Sequence, residues 1–154
     1  MQKSNVNGDV IDIMLCQLGA KEIHNFLSTM HIVSFDLGDG LEIVYVFNIT
    51  KGNKYFLQRM KPYSMVEGKY VSYMEIIEFI TQDISKFRKA KKINNAGIFL
   101  KLAAEMEQVK ERIEQIFLNY DVSAEDFREI LDEFNALLER IEITNKKSDK
   151  IEED

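Results

Sequence analysis

Between residues 95 and 141 the chain carries two apolar stripes that admit little besides a pair of long helices. Phe99, Leu102, Met106, Val109, Ile113, Ile116 and Tyr120 recur at alternating steps of three and four. After a break at Asp121, Val122 and Ser123, the rhythm resumes as Phe127, Leu131, Phe134, Leu138 and Ile141. Such steps return a side chain to the same side of a 3.6-residue turn, so each run predicts an amphipathic helix and the pair predicts a helical hairpin. Asn94 or Asn95 is placed to cap the first helix, and Ser123 with Asp126 three residues later opens the second. Further apolar residues widen the stripes: Ile98, Ala103, Phe117 and Leu118 on the first, Ile130 and Leu137 on the second. A strict two-helix coiled coil needs only a narrow seam, so this width calls for one more helix against the hairpin.

A third seam lies just upstream. Ser72 and Glu75 form a capping-box pattern, and Tyr73, Ile77, Ile80, Ile84 and Phe87 follow at helical spacing. Acidic residues come early in this segment and Lys86, Arg88, Lys89, Lys91 and Lys92 come late, the order that suits the helix macrodipole. Three helices of similar length with short connectors predict an up-down-up arrangement.

Before residue 62 the period is two. His31, Val33, Phe35 and Leu37 alternate with Ile32, Ser34 and Asp36, and Gly38-Asp39-Gly40 supplies a turn. Leu41 to Ile49 alternate likewise, and a second turn at Lys51-Gly52-Asn53 leads into residues 55–60, stopped by Pro62. This predicts a three-stranded antiparallel meander, with residues 63–70 as a loop holding at most a short strand at 63–66. Residues 1–8 are polar and read as a frayed lead-in. Val10, Ile13, Met14 and Leu18 then predict a first helix, Gly19 a cap or kink, and Ile23, Phe26, Leu27 and Met30 a further short helical run. The expected fold class is α+β: an N-terminal helical segment and three-stranded antiparallel β-meander, followed by three long helices. The expected organisation is an α+β unit over 1–92, a helical hairpin over 93–143 packed on it or extending from it, and a disordered charged tail over 144–154.

The net charge of −6 is unevenly placed: residues 1–70 are neutral and residues 71–154 carry all of it. An acidic exterior disfavours nucleic acid or an anionic membrane on the helical half. One cysteine, Cys16, excludes an internal disulfide framework, and with no signal-peptide pattern at the N-terminus the expected location is the cytoplasm. No apolar run approaches a membrane span.

Chemistry-bearing patterns are sparse. His24 and His31 have no partner at ligand spacing, Cys16 lies among apolar neighbours, and the carboxylates of the helical half have no histidine beside them. No phosphate-binding loop, nucleophile elbow or Cys-x-x-Cys is present. Neither an enzyme nor a cofactor or metal is therefore expected. The expected function is a protein–protein interaction or regulatory module, self-associating as a homodimer, with Phe99, Met106, Ile113, Phe117, Ile130 and Leu137 as contact residues. Two alternatives carry named residues. Lys54, Tyr55, Arg59 and Lys61 combine cations with an aromatic ring, as single-strand binders do. Phe35, Tyr45 and Phe47 could line a small-ligand pocket between sheet and helices.

Overall fold

The computed structural model describes residues 6–152; the start of the lead-in, residues 1–5, and the last two residues of the tail lie outside them. The described chain runs α1 (Val6–Gln17), β1 (Ser28–Asp36), β2 (Glu42–Thr50), β3 (Tyr55–Lys61), β4 (Met65–Tyr70), α2 (Tyr73–Ile93), α3 (Ala96–Asn119) and α4 (Ala124–Lys147). The α+β class is as expected, but the sheet has four antiparallel strands in the order β1-β2-β3-β4 rather than three. Residues read as a loop form β4: after Pro62 the chain reverses and pairs Met65 with Arg59 and Tyr70 with Tyr55. Its weak alternation and the bulge between Leu57 and Gln58 hide this strand from a period count.

The expected helical run after Gly19 is also absent. Ala20 N–H donates to Leu15 O and Gly19 N–H to Cys16 O, a Schellman closure with Gly19 at φ 95°. The segment after this cap is too short to nucleate a helix alone, and Met30 is taken by the ladder opposite Asn48.

The β1–β2 turn is tightly specified. Gly38, Asp39 and Gly40 all have positive φ, Asp36 Oδ1 accepts from Gly38 N–H at 2.8 Å, and Leu37 N–H donates to Leu41 O. Lys91, near the end of α2, reaches back to this turn, bonding Leu37 O and pairing with Asp39 at 2.8 Å.

One sheet face and α2 build the core. Leu41, Ile43, Tyr45, Leu57 and Ile84 are buried together, packed by Val33, Phe35, Phe79, Ile80, Phe87 and Leu100. The capping box opens α2 as expected, with Ser72 Oγ accepting from Met74 N–H and Glu75 accepting from Ser72 N–H. The face α2 buries is Ile76, Phe79, Ile80, Ile84 and Phe87, whereas Tyr73 and Ile77 of the predicted seam stand exposed. Because this face serves the sheet, α2 does not complete a three-helix bundle with the hairpin. Among the described residues, the core places no helix over the opposite sheet face, which carries Ile32, Val44, Val46, Phe56, Met60 and Val66.

The last helix outruns the predicted end of structure. It continues to Lys147, Ser148 caps it, and Thr144 Oγ1 and Ser148 Oγ donate to carbonyls one turn back. Beyond it, Ile151 and Glu152 reach a cleft bordered by Gln82, Ser85 and Lys89 of α2.

Gly38 tests the turn. A Cβ there would lie 2.9 Å from Lys91 Nζ at a φ of +82°. Gly38→Ala is expected to destabilise the fold by about 1–2 kcal/mol, measured by urea unfolding.

Candidate protein-binding groove

The helical hairpin departs from the sheet at a joint built around Arg59. Its position on β3 places it on the same face as Tyr55 and Leu57, so it points at α2 rather than at solvent, and it is only 5% exposed. Arg59 Nη1 donates to Asp83 Oδ2 at 2.8 Å, and Nη2 lies 3.7 Å from Glu67 Oε1. Its guanidinium carbon sits 5.1 Å from the Tyr63 ring centre and 5.2 Å from that of Phe87. Tyr45 Oη donates to the same Asp83 oxygen at 2.5 Å. Phe99 at the start of α3 touches both Tyr63 and Phe87, with ring centres 6.2 and 6.4 Å apart. One cation therefore joins β3, β4 and α2, and Tyr63 and Phe87 carry the link on to Phe99 at the root of α3.

Titration of these groups reflects their burial. Burial pushes the Tyr45 hydroxyl far above the usual phenol range, and its bond to the Asp83 carboxylate pushes the same way. Burial works against the Arg59 charge, but the bond to Asp83 and the negative charge of Asp83, Tyr63 and Glu67 together outweigh it, and the guanidinium is held more firmly protonated than usual. Burial raises the Glu67 carboxyl, with Arg59 opposing.

Asn94 and Asn95 turn the corner from α2 to α3, and Asn95 Oδ1 caps α3 by accepting from Ile98 N–H at 3.0 Å. Leu100 and the buried Ala103 complete the root. Beyond Ala103 the helix runs on past the β3–β4 turn, where Glu107 and Glu111 border a cleft with Met60, Pro62 and Tyr63, and α4 returns beside it after Ser123 Oγ accepts from Asp126 N–H at 3.0 Å. Phe117 meets Phe127 near the tip, with ring centres 6.3 Å apart.

Between these two fixed ends the helices frame an open groove of about 1,070 Å³. Its floor and walls are Leu102, Met106, Val109 and Ile113 from α3 and Ile130, Phe134 and Leu137 from α4. Glu105, Lys110, Asp126, Glu129 and Glu133 line it as well, giving a mainly acidic polar margin. Leu102 and Met106 are each 59% exposed and Leu137 is 53% exposed, and α4 buries none of its residues. The seams thus face each other without filling the space between them.

Four of the six predicted contact residues, Met106, Ile113, Ile130 and Leu137, meet in this groove. Phe99 lies in the joint and Phe117 at the tip, so the sequence stripe runs through three different environments. The residues proposed for nucleic acid do not assemble into one surface: Tyr55 and Arg59 are buried on the α2 side, and Lys61 pairs with Glu42 at 2.6 Å. Phe35, Tyr45 and Phe47 are core side chains, with Phe35 edge-on to Tyr45 and Phe47 stacked on His31. The joint at Arg59 escaped the sequence reading, although strand parity with Leu57 would have indicated a buried position. Among the described residues no three His, Cys, Asp or Glu side chains converge as metal ligands would, and no helix is long and apolar enough to cross a membrane. The chain matches no protein-family model, no curated protein and no solved structure at a significant level.

Two substitutions test the joint. Arg59→Ala strands Asp83 and Glu67 without their counter-ion and is expected to cost about 3 kcal/mol in urea unfolding. Tyr45→Phe removes a bond to a charged acceptor and is expected to cost about 2 kcal/mol at pH 7. Because folding raises the Tyr45 pKa, its stabilisation is complete below the ordinary value of 10.0 and is lost as pH climbs through the folded value. From pH 10.0 upward, between the unfolded and folded values, the wild-type protein should lose stability more steeply than Tyr45→Phe.

Proposed function

We propose that this protein is a non-enzymatic protein-binding module that works as a homodimer, with the α3–α4 groove as its principal contact surface. The observation that carries this reading is the amount of surface left open. The chain exposes 13,077 Å², whereas a folded monomer of 18.0 kDa is expected to expose about 8,000 Å². The excess of about 5,000 Å² per chain is larger than the share of about 1,000–2,500 Å² that each partner gives to the large interfaces of obligate assemblies. Much of it is apolar and lies on elements that stand off the core: α1, the free sheet face and the facing sides of α3 and α4.

Apolar patches of this extent on a water-soluble chain mark contact sites. The groove has the form that helix recognition uses, an apolar trough with a polar margin, set on two capped helices. The charged cluster of the protein supports the same reading, since Arg59, Asp83 and Tyr45 are closed off between sheet and helix, where they hold the hairpin's root in place.

Light scattering tests the proposal directly. The expected particle has twice the chain mass of 18.0 kDa. Met106→Glu combined with Leu137→Glu places charges at two exposed groove positions, where folding has little to lose. This pair should raise the dimer dissociation constant at least about tenfold while leaving the circular dichroism spectrum unchanged. A wild-type protein that stays monomeric at high micromolar concentration would sink the reading.

A further inference from the structure

We infer that the groove of each copy is occupied by α1 of a second copy, so that the dimer forms by reciprocal exchange of the N-terminal helix. This rests on the groove being the contact surface, and it adds what fills it.

The shape of α1 is the first ground. Spaced at 100° per residue, Val10, Ile11, Ile13, Met14 and Leu15 cover an arc of about 200°, with Gln17 inside it and Asp9, Asp12 and Cys16 as a polar strip in the remaining about 160°. All five apolar residues are exposed. An arc that wide cannot be covered by a flat surface, which touches one side of a helix only. A trough between two helices touches two sides, and the polar strip then faces outward.

Size is the second. The 12 residues of α1 span about 18 Å. The groove extends from Leu102 to Ile113 along α3 and from Asp126 to Leu137 along α4, about 17 Å on each wall. A helix in this position also supplies the third member that the width of the α3 and α4 stripes calls for.

Topology decides which copy supplies it. The chain passes from α1 into β1 at Ser28, opposite Thr50, at the far end of the sheet from the Gly40 turn. α3 is rooted at the other end, with Leu100 close to Gly40 and Phe99 against Tyr63. A strand of 9 residues separates the two ends by about 27–30 Å, and the groove lies farther out along α3. Residues 18–27 could span at most about 35 Å if fully extended, yet this connector folds back, with Asn25 donating to Asp12 at 2.5 Å. An α1 so tethered is held away from its own groove. In a two-fold dimer the two helices exchange reciprocally, and both copies bury equal surface.

Charge gives the proposal a distinctive signature. The outward strip of α1 carries Asp9 and Asp12, and the groove margin carries Glu105, Asp126, Glu129 and Glu133. Like charges are brought near one another, so screening by salt should tighten the dimer. A basic helix from a different protein would respond in the opposite sense.

The chain provides its own reporter, because Cys16 lies on the exposed strip. Copies carrying Cys16→Ser with Glu129→Cys, or Cys16→Ser with Glu105→Cys, are allowed to exchange with wild-type copies and treated with a short bismaleimide. Each thiol adds across one maleimide double bond, so the product is a mixed dimer joined by thioethers. The expected result is such a dimer at no less than about ten times the yield given by a control thiol on the sheet, Cys16→Ser with Ser34→Cys. Met14→Asp should weaken the dimer by at least tenfold, and raising salt should strengthen it. Mixed cross-links no more abundant than the control would overturn the exchange. So would a cross-link confined within single chains that retain Cys16 and carry Glu129→Cys, which would place α1 in its own groove. A dimer that is lost with Met106→Glu and Leu137→Glu but indifferent to Met14→Asp keeps the groove as contact surface and removes α1 as its occupant.

Discussion

A single buried cation sets the geometry of this molecule. Arg59 arrives between sheet and helix because it alternates in step with Tyr55 and Leu57, and a guanidinium in that position must be compensated. Asp83 and Glu67 supply opposite charge, while Tyr63 and Phe87 close over its faces. Apolar contacts such as Ile84 on Leu57 provide area, but area alone lets a helix slide along a sheet. The fixed fork of the guanidinium specifies where along α2 the strand must lie. Phe99 then inherits that position through its contacts with Tyr63 and Phe87, and the direction of α3 follows.

The elements away from this cation were the legible ones. Ser72 with Glu75, Asn95 and Ser123 cap their helices as their side-chain chemistry implies, since those bonds are local and need no tertiary partner. The first three strands follow from alternation and from turns whose glycines tolerate positive φ. What escaped depends on contacts distant in sequence. β4 owes its existence to a partner already present in β3, and its own residues alternate poorly. The apolar side of α2 could serve a sheet or a bundle equally well, and periodicity cannot say which. Arg59 in sequence is indistinguishable from a solvent-facing cation unless its strand parity is followed. The groove residues Met106, Ile113, Ile130 and Leu137 were visible as stripe members; the empty space between them was not, because a stripe specifies which side is apolar and says nothing of what covers it.

The two halves of the chain answer the demands of burial differently. The sheet face that α2 covers satisfies them internally, with Ile43, Tyr45 and Leu57 fully enclosed, while the other face leaves Ile32 and Val66 exposed. The hairpin holds its shape through helix caps and through contacts at its two ends, and along the middle its apolar residues remain open to water. The enclosed core thus carries a hairpin whose apolar middle stays open.

The two-residue corner at Asn94 and Asn95 has a mechanical consequence. α3 has 24 residues and extends about 36 Å from that corner, while the residues it packs into the core and the joint, Phe99 and Leu100, lie within its first two turns. It behaves as a cantilever clamped at one end. A tilt of about 10° at the clamp carries the tip through about 6 Å, more than one turn of helix. Small differences in how Phe99 and Leu100 seat against the sheet are thereby magnified along the arm, so the packing of a few root residues governs where the far end of the hairpin stands in space.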